Sequence, residues 1–128
     1  MNLLRILLVI SVFQLQAQKT IDPNYFSNPL DIPMVLSGSF GELRSNHFHS
    51  GLDIKTQQRS GVPIYAPADG YVSRIKVGHY GYGKALYIKH PNGYSTVYAH
   101  LQKFETTIQD FVKQSQYKKE RYEIELFP

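Results

Sequence analysis

Cysteine and tryptophan are both absent from the 128 residues. Without Cys there is no disulfide framework, no thiolate nucleophile and no Cys-ligated metal site. Charge is sparse as well. Asp, Glu, Lys and Arg make up 19% of the chain, and 14 basic against 10 acidic residues leave a formal net charge of +4 with His neutral. The basic residues are dispersed, and the densest stretch, Lys118-Lys119-Glu120-Arg121, is interrupted by an acid. No nucleic-acid partner is expected from such a pattern. No apolar run reaches the roughly 20 residues of a membrane-spanning helix. A hydrophobic share of 42% is nevertheless too high for a disordered tail, and 10 Tyr point to a Tyr-rich surface or sheet.

The first residues read as an address. Arg5 is followed by an apolar run from Ile6 to Phe13, broken only by Ser11, and by small Ala17. That order is expected of a secretory signal peptide over 1–17, so the mature protein is expected to be periplasmic or extracellular, with no membrane span left after cleavage. Residues 18–33 carry Pro23, Pro29 and Pro33 with Asn24 and Asn28 between them. These favour extended or turn backbone, so the segment reads as a leader, either linker or strap.

From Met34 onward, short apolar stretches alternate with Gly and Pro, which predicts a mainly β domain. Expected strands are Met34–Ser37, Gly51–Lys55, Pro63–Tyr65, Gly70–Gly78, Lys84–His90 and Tyr94–Leu101. The last two flank Pro91-Asn92-Gly93, and Asn-Gly is a hairpin signal. Phe104, Ile108, Phe111, Val112 and Ser115 then fall at helical spacing, which predicts an amphipathic helix over about 104–121 packed on the sheet. Tyr122 to Leu126 alternates and reads as a further strand. The chain then reads as the N-terminal part of a longer domain, covering 34–128.

The densest chemistry is Asn46-His47-Phe48-His49-Ser50-Gly51-Leu52-Asp53. In an extended chain residues of equal parity share a face, so His47, His49 and Asp53 can project together. Imidazole and carboxylate are both zinc donors, and a catalytic zinc takes three protein ligands and an open position. Taken alone, this is also an ordinary loop with two His and a turn Asp. His100 ends a strand on the face of Tyr94, Thr96 and Tyr98, where a general base or oxyanion stabiliser could act. A surface His on a Tyr-lined strand fits the same pattern. His79 and His90 are assigned no role. Ser50 lacks the nucleophile-elbow pattern. Asp53 and Asp69 make a poorly supported carboxylate pair for glycoside cleavage, because Asp69-Gly70 reads as a turn.

A longer pattern adds to these fragments. His49-Ser-Gly-Leu-Asp53, Ser60-Gly-Val-Pro-Ile-Tyr-Ala-Pro-Ala-Asp-Gly-Tyr-Val72, Gly81-Tyr-Gly83 and Ile88-Lys-His-Pro-Asn-Gly-Tyr-Ser-Thr-Val-Tyr-Ala-His-Leu101 occur in order between Gly38 and Leu101. The whole resembles the lysostaphin-type (M23, LytM-like) zinc metallopeptidases. The resemblance implies an antiparallel β fold and a secreted metalloendopeptidase acting on peptidoglycan peptides. It implies Zn²⁺ as cofactor, with His49 and Asp53 as two ligands and His100 as a catalytic histidine. Tyr94 and Tyr98, with the Gly78–Gly83 loop, are expected to border a substrate groove, on strand parity. The family's third ligand is the second His of a His-x-His motif, whose first His is also catalytic. No His follows His100 here. The expectation is therefore an incomplete fragment, poor in zinc binding and inactive by itself. His47 is a conceivable substitute ligand.

Two other classes remain in view. One is a non-catalytic member of the same fold, an activator or scaffold for cell-wall amidases. The retained His49, Asp53 and His100 favour an enzyme origin. The other is a biotinyl- or lipoyl-type carrier, suggested by the 62–72 stretch. It needs a Lys at a hairpin tip, and neither Lys84 nor Lys89 is so placed.

Overall fold

The structure, a computed structural model, describes residues 22–128. The expected signal segment and the first four residues of the leader lie outside the described residues. From Asp22 to Pro33 the chain forms neither strand nor helix, as its prolines require. It is fastened all the same. Ser27 donates through both its backbone N and its Oγ to Pro67 O (2.8 and 2.9 Å), and Pro29 O accepts from Tyr65 N at 2.9 Å. Leu30 is buried. Of the two roles a Pro-rich leader allows, strap describes these contacts.

A small sheet follows, in which β1 (Leu36–Gly38) pairs antiparallel with β2 (Asp53–Ile54). Both strands are shorter than expected, because a register shift between Leu36 and Gly38 interrupts the ladder. The stretch Pro63–Tyr65, expected as a strand, is not one. Pro63 has no N–H to donate, and the N–H of Tyr65 is taken by the strap.

The main sheet contains β3 (Tyr71–Val77), β4 (Lys84–Lys89), β5 (Ser95–Tyr98) and β6 (Ile124–Leu126), in the order β5-β4-β3-β6. All three pairings are antiparallel. The β4–β5 hairpin closes at the expected turn, with Gly93 N donating to His90 O at 2.9 Å and Gly93 at φ +89°. A bulge between Val72 and Arg74 lets Val72 share a face with Ile75, although they are three apart. Ile75, Val77, Leu86, Ile124 and Leu126 then line one face, while Arg74, Lys76, Tyr87 and Glu125 alternate onto the other.

The helix α1 (Thr106–Lys119) connects β5 to β6 and so carries the chain from one edge of the sheet to the other. Glu105 caps it, accepting from Thr107 N and Ile108 N, which satisfies two of the orphan N–H groups of the first turn. Glu120, at φ +50°, ends it in a left-handed turn. The buried stripe is centred on Val112, with Ile108, Gln109, Ser115 and Gln116 half-buried around it. These are its neighbours three and four residues away. Phe111, expected on the packed side, lies on the flank and is exposed. The core joins Val112 and Phe104 to Ile75, Val77, Ile124 and Leu126.

Ile75 sits at the centre of that core and is only 1% exposed. Ile75→Ala removes three methyl or methylene carbons from a packed site and is expected to cost about 2–5 kcal/mol of stability. Urea unfolding of the two proteins side by side measures it. A loss below about 1 kcal/mol would mean that sheet and helix do not pack as described.

Candidate active site

His49 lies on a hairpin that rises between β1 and β2. Gly41 N donates to His49 O at 2.7 Å, His49 N donates to Glu42 O at 2.8 Å, and Leu43 bridges Phe48 nearer the tip. The backbone at His49 is thus held on both sides. The imidazole is held too, because its Nδ1 lies 3.0 Å from Ser39 O. A carbonyl oxygen only accepts, so Nδ1 carries the hydrogen. In the neutral ring Nε2 is then a bare lone pair.

Nε2 faces Asp53. His49 Nε2 and Asp53 Oδ1 are 3.2 Å apart. The other carboxylate oxygen, Oδ2, accepts from Arg44 Nη2 at 2.7 Å, and the same guanidinium reaches Glu42 at 3.1 Å. Arg44 belongs to the same hairpin as His49. The Arg44 hydrogen bond holds the Asp53 carboxyl below the usual carboxylate range, burial opposes it, and the charges of His49, Arg44 and His100 act with Arg44. Asp53 is therefore a carboxylate with one oxygen clamped and one free.

Two donors on one tetrahedral zinc ion, at bond lengths of about 2.0–2.2 Å, stand about 3.3–3.4 Å apart. The observed separation fits, and so does the backbone carbonyl behind the imidazole, a usual second-sphere partner of a metal-bound His. His49 and Asp53 could thus hold such an ion together. Among the described residues no group of three or more His, Cys, Asp or Glu gathers to hold a metal. His47 does not join the pair. It sits near the hairpin tip with Nδ1 2.6 Å from Asn46 Oδ1. The equal-parity argument for His47 fails because His47 lies in the bend at residues 45–47, not in an extended run with His49.

His100 enters by a different route. β5 stops at Tyr98, and His100 takes the left-handed conformation at φ +56°, which non-Gly residues adopt infrequently. Its backbone N donates to Tyr82 O at 2.9 Å, and the two rings meet edge to face at 6.4 Å. Tyr82 in turn has its hydroxyl 3.3 Å from Ser50 Oγ, next to His49. The loop between β3 and β4 therefore joins the two halves of the site through Tyr82.

His100 also lines an open cavity of about 750 Å³ with Tyr98, Leu86, Ile88, Ile64 and the start of α1. Tyr98 thus stands in the cavity wall beside His100. Tyr94 lies before β5, exposed, and is not among the lining residues. The Gly78–Gly83 loop does not line it either. Sequence reasoning missed Arg44 and Tyr82. Neither carries a spacing signal, since Arg44 is nine residues from Asp53 and Tyr82 is 32 from Ser50. It also gave no role to His90, which is buried at 3% exposure.

Gly38 shows how tightly the clamp is built. It pairs with Asp53 across β1–β2, and a Cβ there would lie 2.5 Å from both Arg44 Nη2 and Asp53 Oδ2. Gly38→Ala must push the pair apart. Loss of such an outer partner typically costs 10–100-fold in metal affinity, so a drop of about that size is expected in zinc competition titrations. Unchanged affinity would mean that the clamp does not support the donor.

A mainly antiparallel fold, with His49 beside Asp53 and a histidine at the end of a neighbouring strand, is the arrangement that the resemblance implies. The model of Peptidase family M23 matches residues 47–117, more than half of the chain, and the chain belongs to that family. The protein is 42% identical over 62 residues to the DD-carboxypeptidase/endopeptidase Mpg of Neisseria meningitidis serogroup B, a match covering 48% of this chain and 14% of that protein. The Mpg protein of Neisseria gonorrhoeae matches equally well. An uncharacterized metalloprotease of Haemophilus influenzae is 35% identical over 94 residues, covering 69% of this chain and 19% of its own length. The chain thus spans less than a fifth of the curated relatives it matches. No solved structure matches it at a significant level.

Proposed function

We propose that this chain is part of an exported zinc metalloendopeptidase acting on peptidoglycan peptides, with His49 and Asp53 as two of the metal ligands and His100 as a catalytic histidine. The observation that carries the reading is the 3.2 Å separation of His49 Nε2 from Asp53 Oδ1, with the outer atom of each group already tied. An imidazole nitrogen turned to the unclamped oxygen of a carboxyl whose pKa is held low is a pair of donors that a cation could share. Zinc, when bound, makes water nucleophilic near neutral pH and polarises a carbonyl.

The chain's own residues do the rest. Ser39 and Arg44 orient the donors. His100 stands where it can take or hold a proton, or hydrogen-bond an oxygen that gains charge. The cavity beside it offers apolar walls of Leu86, Ile88 and Ile64 to an extended peptide. The names of the Neisseria relatives suggest a bond between D-amino acids as the one cut. Two protein donors fall short of the three of a catalytic zinc, so the stretch by itself is proposed to bind the metal weakly and to be inactive.

The test uses the full-length protein. It should contain one zinc per chain by mass spectrometry and cleave a peptide with a D,D bond, and a chelator should abolish cleavage. A full-length product that neither holds zinc nor cleaves would instead be the non-catalytic scaffold of the same fold.

A further inference from the structure

His90 occupies the most enclosed polar position among the described residues. The rings of Tyr25 and Phe26, from the strap, meet it edge-on at 6.5 and 5.1 Å. On another side, a Cβ at Gly70 would come within 3.0 Å of its Nδ1. Both ring nitrogens have partners. Nδ1 lies 2.8 Å from Asp69 O, and Nε2 lies 2.9 Å from Thr96 Oγ1. Thr96 Oγ1 lies 2.9 Å from Tyr98 Oη. Four residues therefore form one hydrogen-bond chain, running from the Asp69 carbonyl to a residue in the cavity wall.

The direction of every bond in that chain follows from its first member. Asp69 O can only accept, so His90 Nδ1 carries the hydrogen. In the neutral ring Nε2 then has only a lone pair, so the Thr96 hydroxyl donates to it. Thr96 has no second hydrogen, so the Tyr98 hydroxyl donates to Thr96. The phenol spends its proton inward and keeps a lone pair that no other described contact uses.

We propose that the Asp69–His90–Thr96–Tyr98 chain makes Tyr98 an acceptor-only hydroxyl in the cavity wall, which receives an N–H of a bound peptide beside His100. His90 and Thr96 are positioning residues that set this polarity, and Tyr98 is the group that touches the peptide. The proposal rests on the peptidase reading for the nature of the ligand, and it adds a specificity element that no metal chemistry requires. A freely rotating phenol would accept or donate as the partner demanded. One whose proton is committed favours a donor, because a second acceptor brought against it would be left unpaired.

The test has two parts, both on the full-length protein at pH 8 without metal. Long-range ¹⁵N–¹H correlation should show His90 with hydrogen on Nδ1 and not on Nε2. The probes are acetyl-D-alanyl-D-alanine amide and the same peptide methylated on the nitrogen between its two residues, which removes that N–H. The wild type should prefer the unmethylated probe by about 2- to 12-fold, the worth of one neutral hydrogen bond. Tyr98→Phe should erase the preference and Thr96→Ser should keep it, while Thr96→Val, which frees the phenol to turn, should weaken it without erasing it. A merely structural role for Thr96 would alter stability in both variants without separating the two probes.

Hydrogen on His90 Nε2, or equal binding of the two probes by the wild type, overturns the proposal. Failure of the peptidase reading shows elsewhere, as loss of zinc-dependent cleavage in the full-length protein. Neither the tautomer nor the probe preference depends on zinc.

Discussion

His49→Ala, made in the full-length protein, is expected to lower zinc affinity by more than about 100-fold, beyond the 10–100-fold that loss of an outer-sphere partner costs. The substitution deletes a donor whose geometry is already prepared. Its distal nitrogen is tied to Ser39 O, and its metal-facing nitrogen stands 3.2 Å from Asp53 Oδ1. His47 is not placed to replace it, because its Nδ1 is turned to Asn46 Oδ1. The hairpin itself should survive, since its hydrogen bonds at residue 49 are made by backbone. Asp53→Ala should match this loss, and Arg44→Ala should show the smaller effect of an outer partner. Competition against a chromophoric chelator gives all three values. If His49→Ala retains stoichiometric zinc, the donor assignment is wrong.

His100→Ala should separate chemistry from metal binding. Zinc content is expected to stay at the wild-type level, while kcat for a D,D-peptide falls by about 10²–10⁴-fold, the usual contribution of a positioned acid or base. His100 is not part of the His49–Asp53 donor pair, and its place is secured by backbone, through His100 N to Tyr82 O and Leu101 N to Lys84 O. The left-handed backbone at residue 100 raises a concern that Ala would add strain there. His100→Asn answers it, because Asn tolerates that conformation better than most residues. Both variants should lose activity alike. A variant that loses zinc together with activity would make His100 a ligand instead.

Several elements were legible in the residues because their causes are local. Asn92-Gly93 needs a positive φ and marks the β4–β5 turn wherever the hairpin lies. Alternation in β3 and β6 and the i, i+4 pair Ile108–Val112 are periodicities of single elements. The His49–Asp53 pair was visible because both members are close in sequence. The strand at Pro63–Tyr65 was misread because the N–H of Tyr65 has a partner 36 residues away, at Pro29. The same holds for His90, whose neighbours Tyr25, Phe26 and Asp69 meet it only in the folded chain.

By itself, then, the sequence determined the β texture, the helix and the identity of the candidate donors, since these depend on residue type and short-range period. Only the tertiary structure decided which oxygen of Asp53 Arg44 clamps, which nitrogen of His49 turns to Asp53 and which way the Tyr98 hydroxyl points. Each of those traces to a hydrogen bond between groups nine or more residues apart, Arg44 to Asp53, His49 to Ser39 and His90 to Asp69, and a bond of that kind exists only once the chain has closed on itself.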